Sequence, residues 1–252
     1  MNQLRISTMT AISSINSDIN LSNLYQEIQP NELITYLQHG SETKGTSKKA
    51  KRKSRIPKKQ KSFFNQVTLH VMCEKSVNVK LFNNGKIQMT GLKYETHGDK
   101  VLSMLIPYLV KTDLSTDSKI LTHTQIETKP FDTVMINSDF SLGYRVKRDV
   151  IHREIVKHGM YSSYEPCIYP GVNIKYYFNQ STDHGICQCS QMCTGKGCGL
   201  GDGQCKRITI LIFMSGEVII TGARCREQLD ITHRFISKFI NDRRELFELK
   251  DE

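Results

Sequence analysis

Residues 184–205 gather His184, Cys187, Cys189, Cys193, Cys198 and Cys205, which include five of the chain's eight cysteines. Imidazole and thiolate are the ligand types of a tetrahedral structural zinc, and six candidates exceed the four that such an ion needs. The spacing C-x-C-x3-C-x4-C-x6-C contains no CxxC pair. The segment therefore departs from a zinc ribbon, and plain reduced thiols stand as the alternative. Disulfide frameworks belong to small secreted domains, whereas MNQLRISTMTAISS at the start has no charged-then-apolar signal pattern. The longest apolar run, Ile208 to Met214 with Thr209 inside it, is far too short to span a bilayer. The expected location is intracellular.

No catalytic constellation stands out. GKGCGLGDG fails the G-x-G-x-x-G pattern, and no GK[ST], HExxH or GxSxG occurs, so a binding protein is expected rather than an enzyme. A metal-dependent nucleic-acid enzyme would need a catalytic domain for which no length is left. The formal charge of +10 is concentrated: KGTSKKAKRKSRIPKKQK, residues 44–61, carries ten Lys or Arg and no acid. The rest of the chain is formally neutral, with 25 basic and 25 acidic residues. Such a run could engage phosphates without sequence preference, act as a localisation-like tag, or serve as a solvated linker.

The elements that must carry these segments come in two similar sets. LFNNGKIQMTGLK, Leu81 to Lys93, is echoed 131 residues later by IFMSGEVIITGAR, Ile212 to Arg224. Period-two alternation makes each a strand pair across a glycine turn. Val67, Leu69, Val71, Val79, Leu81, Ile87 and Met89 should face one core, and Ile208, Ile210, Ile212, Val218 and Ile220 the other. Phe82 and Phe213 fall on the opposite face and are expected to be exposed. A helix should follow each pair: DKVLSMLIPYLVKTD, kinked or ended by Pro107, and CREQLDITHRFISKFINDRREL with Leu229, Ile236, Phe239 and Ile240 inward. Upstream, LRISTMTAI with INLSNLYQEI, and TVMINSDFSL with YRVKRDVIHREIV, each read as a strand and a short helix. The predicted organisation is a first repeat over 1–113 with a basic insertion at 39–62, a linker at 114–131, and a second repeat over 132–252 with a Cys-rich insertion at 179–207.

YSSYEPCIYPGVNIKYY, Tyr161 to Tyr177, followed by ITILIFMSGEVIITGARCRE, resembles the second repeat of the TATA-box-binding protein family. FNQV at Phe64 and LFNNGK with TGLK resemble the first. The resemblance implies an α+β saddle of two pseudo-symmetric repeats, a curved antiparallel sheet with helices on its convex face. It also implies a transcription initiation factor that binds and bends A·T-rich promoter DNA through the minor groove and recruits RNA polymerase initiation machinery. Carried over residue by residue, the aromatic wedges are Phe64 and Phe82 in one repeat and Tyr169 and Phe213 in the other. Unstacking a base step costs a few kcal/mol and burying a Phe-sized ring returns roughly 1.5 to 3 kcal/mol, so paired rings suit the task. Thr90 and Thr221 would meet minor-groove acceptors, Lys86 and Lys175 would lie near phosphates, and Lys80, Leu211 and Ile219 would line the DNA face. Glu165, Cys167 and Ile168 would dock a transcription factor IIB-like partner. No cofactor is required, and a zinc in the Cys-rich insertion would be structural.

The chain departs from the family at several positions. Where the family reads the central step with an asparagine in each first strand, Leu4 and Thr133 are found; Lys80 and Gln88 replace apolar residues, and Glu217 a lysine. These changes leave open a second reading: a saddle turned protein-interaction module in transcription, with weak or non-specific DNA binding.

Overall fold

The computed structural model describes residues 3–46, 63–182 and 184–250. Most of the basic run, residues 47–62, thus lies outside the described residues. The chain divides into two compact units, Met9–Thr133 and Met1–Thr8 with Val134–Glu252.

In the first unit the antiparallel order is β3-β2-β4-β5-β6-β1, from β1 (Arg5–Ser14), β2 (Ile34–His39), β3 (Glu42–Gly45), β4 (Gln66–Cys73), β5 (Lys75–Phe82) and β6 (Lys86–Leu92). The QVTLHVMC strand alternates half-buried and buried residues along its whole length, and Val67, Leu69, Val71, Val79, Leu81, Ile87 and Met89 are fully buried. Helices α1 (Leu21–Glu27) and α2 (His97–Leu114) pack against the sheet. The Asn20 side chain accepts the Asn23 N–H at 3.1 Å, capping α1. Lys44 Nζ donates to the carbonyls of Tyr25, Gln26 and Ile28 at 2.5, 2.9 and 3.2 Å, placing a cation at the negative end of that helix.

Of the two outcomes expected at Pro107, a kink or an end, α2 does not end there; it runs on to Leu114. Pro107 removes the bond to the Ser103 carbonyl, but both residues are exposed, so water can satisfy it while Val101, Leu105 and Leu109 stay in the core. Residues 115–131 run back along this unit, with Ile120 and Leu121 N–H groups held at 2.6 and 3.0 Å by the buried Asp113 carboxylate.

The second unit has the antiparallel order β7-β11-β10-β9-β8, from β7 (Asp132–Ser141), β8 (Tyr161–Ser163), β9 (Val172–Phe178), β10 (Lys206–Ile212) and β11 (Glu217–Ala223). Helices α3 (Arg148–Lys157), α4 (Arg226–Asn241) and the single turn α5 (Arg244–Phe247) cover one face. Ile208, Ile210, Ile212, Val218 and Ile220 meet Leu229, Ile236, Phe239 and Ile240 in a fully or nearly fully buried core. Both helical layers leave the other face of their sheet open. No helix among the described residues is long and apolar enough to cross a membrane.

Candidate nucleic-acid interface

The open face of the second unit is set by sheet register. Thr221 lies opposite Asn137 on one side and Thr209 on the other, and the Thr221 hydroxyl donates to Asn137 Oδ1. The Asn137 amide nitrogen has no partner among the described residues and remains a donor. Leu211 sits between Asn173 and Ile219, forming an apolar row with Phe213 at the strand end. Phe213 meets Tyr169 edge-on, with ring centroids 6.0 Å apart at 60°. Gly171 makes room for them, because a Cβ there would lie 2.9 Å from Tyr169 and 3.1 Å from Phe213. Tyr169 is 41% exposed, whereas Phe213 is half-buried rather than exposed as expected, because the two rings shield each other.

Charges on this face are partly spent. Lys175 Nζ donates to Thr209 Oγ1 at 3.0 Å; burial and then the neighbouring Arg207 push its pKa below the ordinary lysine value. Asp139, paired in register with Ile219, is held by Arg5 at 2.7 Å and by the Ser7 hydroxyl. Glu217 is exposed at the turn.

In the first unit Phe82 closes β5 opposite Gln66 and is likewise half-buried. Phe64 is 67% exposed, but its ring leans on His39 at 6.2 Å and lies over Gly40. Among the described residues no ring contact joins Phe64 to Phe82, so only the Tyr169 and Phe213 rings are brought together. Lys80 lies between Thr68 and Gln88, and Thr90 between Asn78 and Thr10. Lys86 is exposed beside the turn.

The first-strand residues facing Thr90 and Thr221 are Thr10 and Asn137; Leu4 and Thr133 lie outside these register pairs. A register shift interrupts each pairing, at Met9/Thr10 and at Thr221/Ala223, and sequence spacing cannot register such an extra residue. Asn137, Asp139 and Arg207 were thus missed by sequence reasoning; simple alternation from the buried Ile136 and Phe140 could have placed Asn137 and Asp139 on this face.

Glu165, Cys167 and Ile168 form an exposed turn. The Glu165 carbonyl accepts from the N–H groups of Ile168 and Tyr169 at 2.9 and 2.8 Å, and Ile168 is 84% exposed. Arg148 at the start of α3 secures the far end, donating to the Pro170 carbonyl and lying over the Tyr164 ring at 5.2 Å.

Of the six metal-ligand candidates, four converge. The Sγ atoms of Cys187, Cys189, Cys193 and Cys205 lie within 4.8 Å of one another and could hold a metal ion. Cys198 is exposed and His184 Nδ1 accepts the Ile186 N–H; neither is part of the cluster. Burial pushes the Cys205 thiol up to about 12. Burial also works on Cys193, but N–H donors from Gly195 and Cys205 hold it below the ordinary thiol value.

Residues 138–242 match the family of transcription factor TFIID, or TATA-binding protein. The chain is 30% identical over 199 residues to a TATA-box-binding protein-like protein of Acanthamoeba polyphaga mimivirus, an alignment covering 72% of this chain and 48% of that relative. It therefore spans about half the length of the curated relative it matches. In fold it is similar to the Methanococcus jannaschii TBP, with a TM-score of 0.56 and 18% identity over 96% of this chain and 99% of the other. Taken with the paired hairpins and the helix-covered antiparallel sheets, these likenesses make the chain a divergent TATA-binding-protein-like protein of α+β fold, with its family signature in residues 138–242.

Proposed function

We propose that this chain is a non-enzymatic transcription initiation factor that binds duplex DNA through the minor groove and bends it. The observation that carries this reading is the Tyr169–Phe213 ring pair at the edge of an open face, in line with Leu211 and beside the Thr221–Asn137 hydrogen bond. Apolar rings can wedge a base step, and a hydroxyl and carboxamide suit the acceptor-only minor-groove edge of A·T pairs. Ile219 extends the apolar row, and Lys175 and Arg207 supply cations for phosphates.

The first unit engages DNA less strongly. Phe82, Thr90, Lys80 and Lys86 are its contacts, with Phe64 available only after leaving His39. The two repeats are proposed at 1–113 and 132–252, joined by 114–131. Glu165, Cys167 and Ile168 form the docking turn for a transcription factor IIB-like partner that brings in polymerase, in a nucleus or a virus factory. No bound group takes part in DNA contact in this reading; a zinc ion in the cysteine insertion has a folding role only.

The test is fluorescence energy transfer across an end-labelled A·T-rich duplex. Binding should shorten the end-to-end distance, and Phe213→Ala with Tyr169→Ala should abolish bending while the protein stays folded. Unchanged affinity and bending in that variant would sink the reading. Lys80, Gln88 and Glu217 on the two open faces favour a second reading, a protein-interaction module; it predicts partner capture through the open face with no A·T preference.

A further inference from the structure

We propose that Cys187, Cys189, Cys193 and Cys205 bind one zinc ion, and that the ion fixes residues 184–205 onto the β9 and β10 strands. A tetrahedral ion with Zn–S bonds of about 2.3 Å needs sulfur atoms about 3.8 Å apart. Cys205 Sγ lies 3.3 Å from that of Cys189 and 3.7 Å from that of Cys187, and the whole set falls within 4.8 Å. All four thiols are free, and these separations far exceed the bond of about 2 Å in a disulfide.

Polar donors face three of the sulfurs. The Cys189 N–H donates to Cys187 Sγ, the N–H groups of Gly195 and Cys205 donate to Cys193 Sγ, and Asn179 Nδ2 lies 3.6 Å from Cys205 Sγ. Cys205 begins the return to β10, while the other three come from the outer loop, so one ion ties the excursion's far side to its root.

The segment has little else to fold it. Among its described residues 180–204 no apolar side chain is buried: Ile186 is half-buried, Leu200 is exposed, and Met192 is 97% exposed. Yet the loop lies tightly on the sheet edge. Tyr177 N–H donates to the Gly185 carbonyl and Arg207 N–H to that of Gly195, both at 2.8 Å. Gly185 has φ of +73° and a Cβ there would sit 2.3 Å from the Tyr176 ring. Gln228 of α4 donates to the Cys198 carbonyl at 3.0 Å. A close-packed path without an apolar core is what a metal-folded loop requires. Cys187 and Cys193 also line a cavity of about 250 Å³ with Tyr161, Lys175 and Tyr177, so the ion steadies the same strand edge that carries Lys175.

The full chain, purified under reducing conditions, should contain one zinc per molecule by elemental analysis. Cobalt substitution should give the visible spectrum of a tetrahedral tetrathiolate. Cys193→Ser and Cys205→Ser should lose stoichiometric metal, whereas Cys198→Ser and His184→Ala should keep it. Because a ligand variant can misfold, the wild-type protein supplies the second readout: chelation should open residues 184–204 to protease, and added zinc should close them again. The proposal is overturned by metal-free protein whose segment resists protease with or without chelator, by metal loss on His184→Ala or Cys198→Ser, or by a disulfide among the four. None of these readouts depends on DNA binding.

Discussion

Thr221 and Asn137 act as one group, since the hydroxyl spends its proton on Oδ1 and thereby leaves the amide nitrogen for an outside acceptor. Thr221→Val should break that arrangement and cost about 1 to 3 kcal/mol of discrimination between A·T-rich and G·C-rich duplexes, read from paired titrations at one salt concentration. Thr90→Val should cost less, because its register partner is Thr10, which offers no carboxamide. Equal losses would mean that the Thr221–Asn137 pair plays no special part. Arg5→Ala should uncover the Asp139 carboxylate on the open face and weaken DNA binding at low salt; Asp139→Asn made in addition should restore it. Strand phase placed Phe82, Phe213, Thr90, Thr221 and Lys80 opposite the aliphatic core, where the sheet register also has them, whereas Phe64 and Tyr169 were singled out through the family resemblance. Asn137 was not singled out, although it pairs with Thr221 in unbroken register from Glu217 and strand alternation alone places it on this face. The ring exposures were not legible either, since mutual shielding of Tyr169 and Phe213 is a tertiary fact.

At the scale of elements, alternation and helical spacing located the central strands and the longer helices, α2 nearly to its full length, but named neither β2 nor β3. Pro107 costs α2 one internal bond, so Pro107→Ala should raise the unfolding free energy, by up to ~3 kcal/mol, measured by chemical denaturation. A loss of stability would mean that the ring itself packs favourably. The β4–β5 turn is joined to α2 by Glu74, which accepts from Lys100 Nζ and the Tyr94 hydroxyl, both at 2.7 Å. The Lys100 and then the Tyr94 hydrogen bond hold the Glu74 carboxyl below its ordinary value of 4.5. A carboxylate with a depressed folded pKa contributes stability that is complete above the unfolded value and is lost as pH falls through the folded one. Hydrogen exchange in this turn should therefore accelerate below about pH 4.5, and Glu74→Gln should flatten that dependence. The convergence of four cysteines out of six candidates is also an element-scale result: it depends on how the loop folds back on β10, which spacing alone does not encode.

For the whole molecule, net charge alone misleads about where cations act. Lys44 is committed to the end of α1, leaving nine of the ten cations of the basic run in residues 47–62. If six or more of these neutralise phosphates, deleting 47–62 should remove several units from the slope of log affinity against log salt while A·T preference persists. Preference lost together with the segment would move recognition away from the sheets. One consequence reaches beyond DNA contact. The Glu165 carbonyl that shapes the proposed docking turn also holds the Tyr169 N–H, so a partner seated on Ile168 and the wedge ring share one short length of backbone. Immobilising that backbone from either side pays part of the ordering entropy for the other. Partner and duplex should then bind cooperatively and reciprocally, each raising the other's affinity by the same factor; a closed thermodynamic cycle measured with and without Arg148→Ala would reveal whether the far anchor of the turn sets that factor.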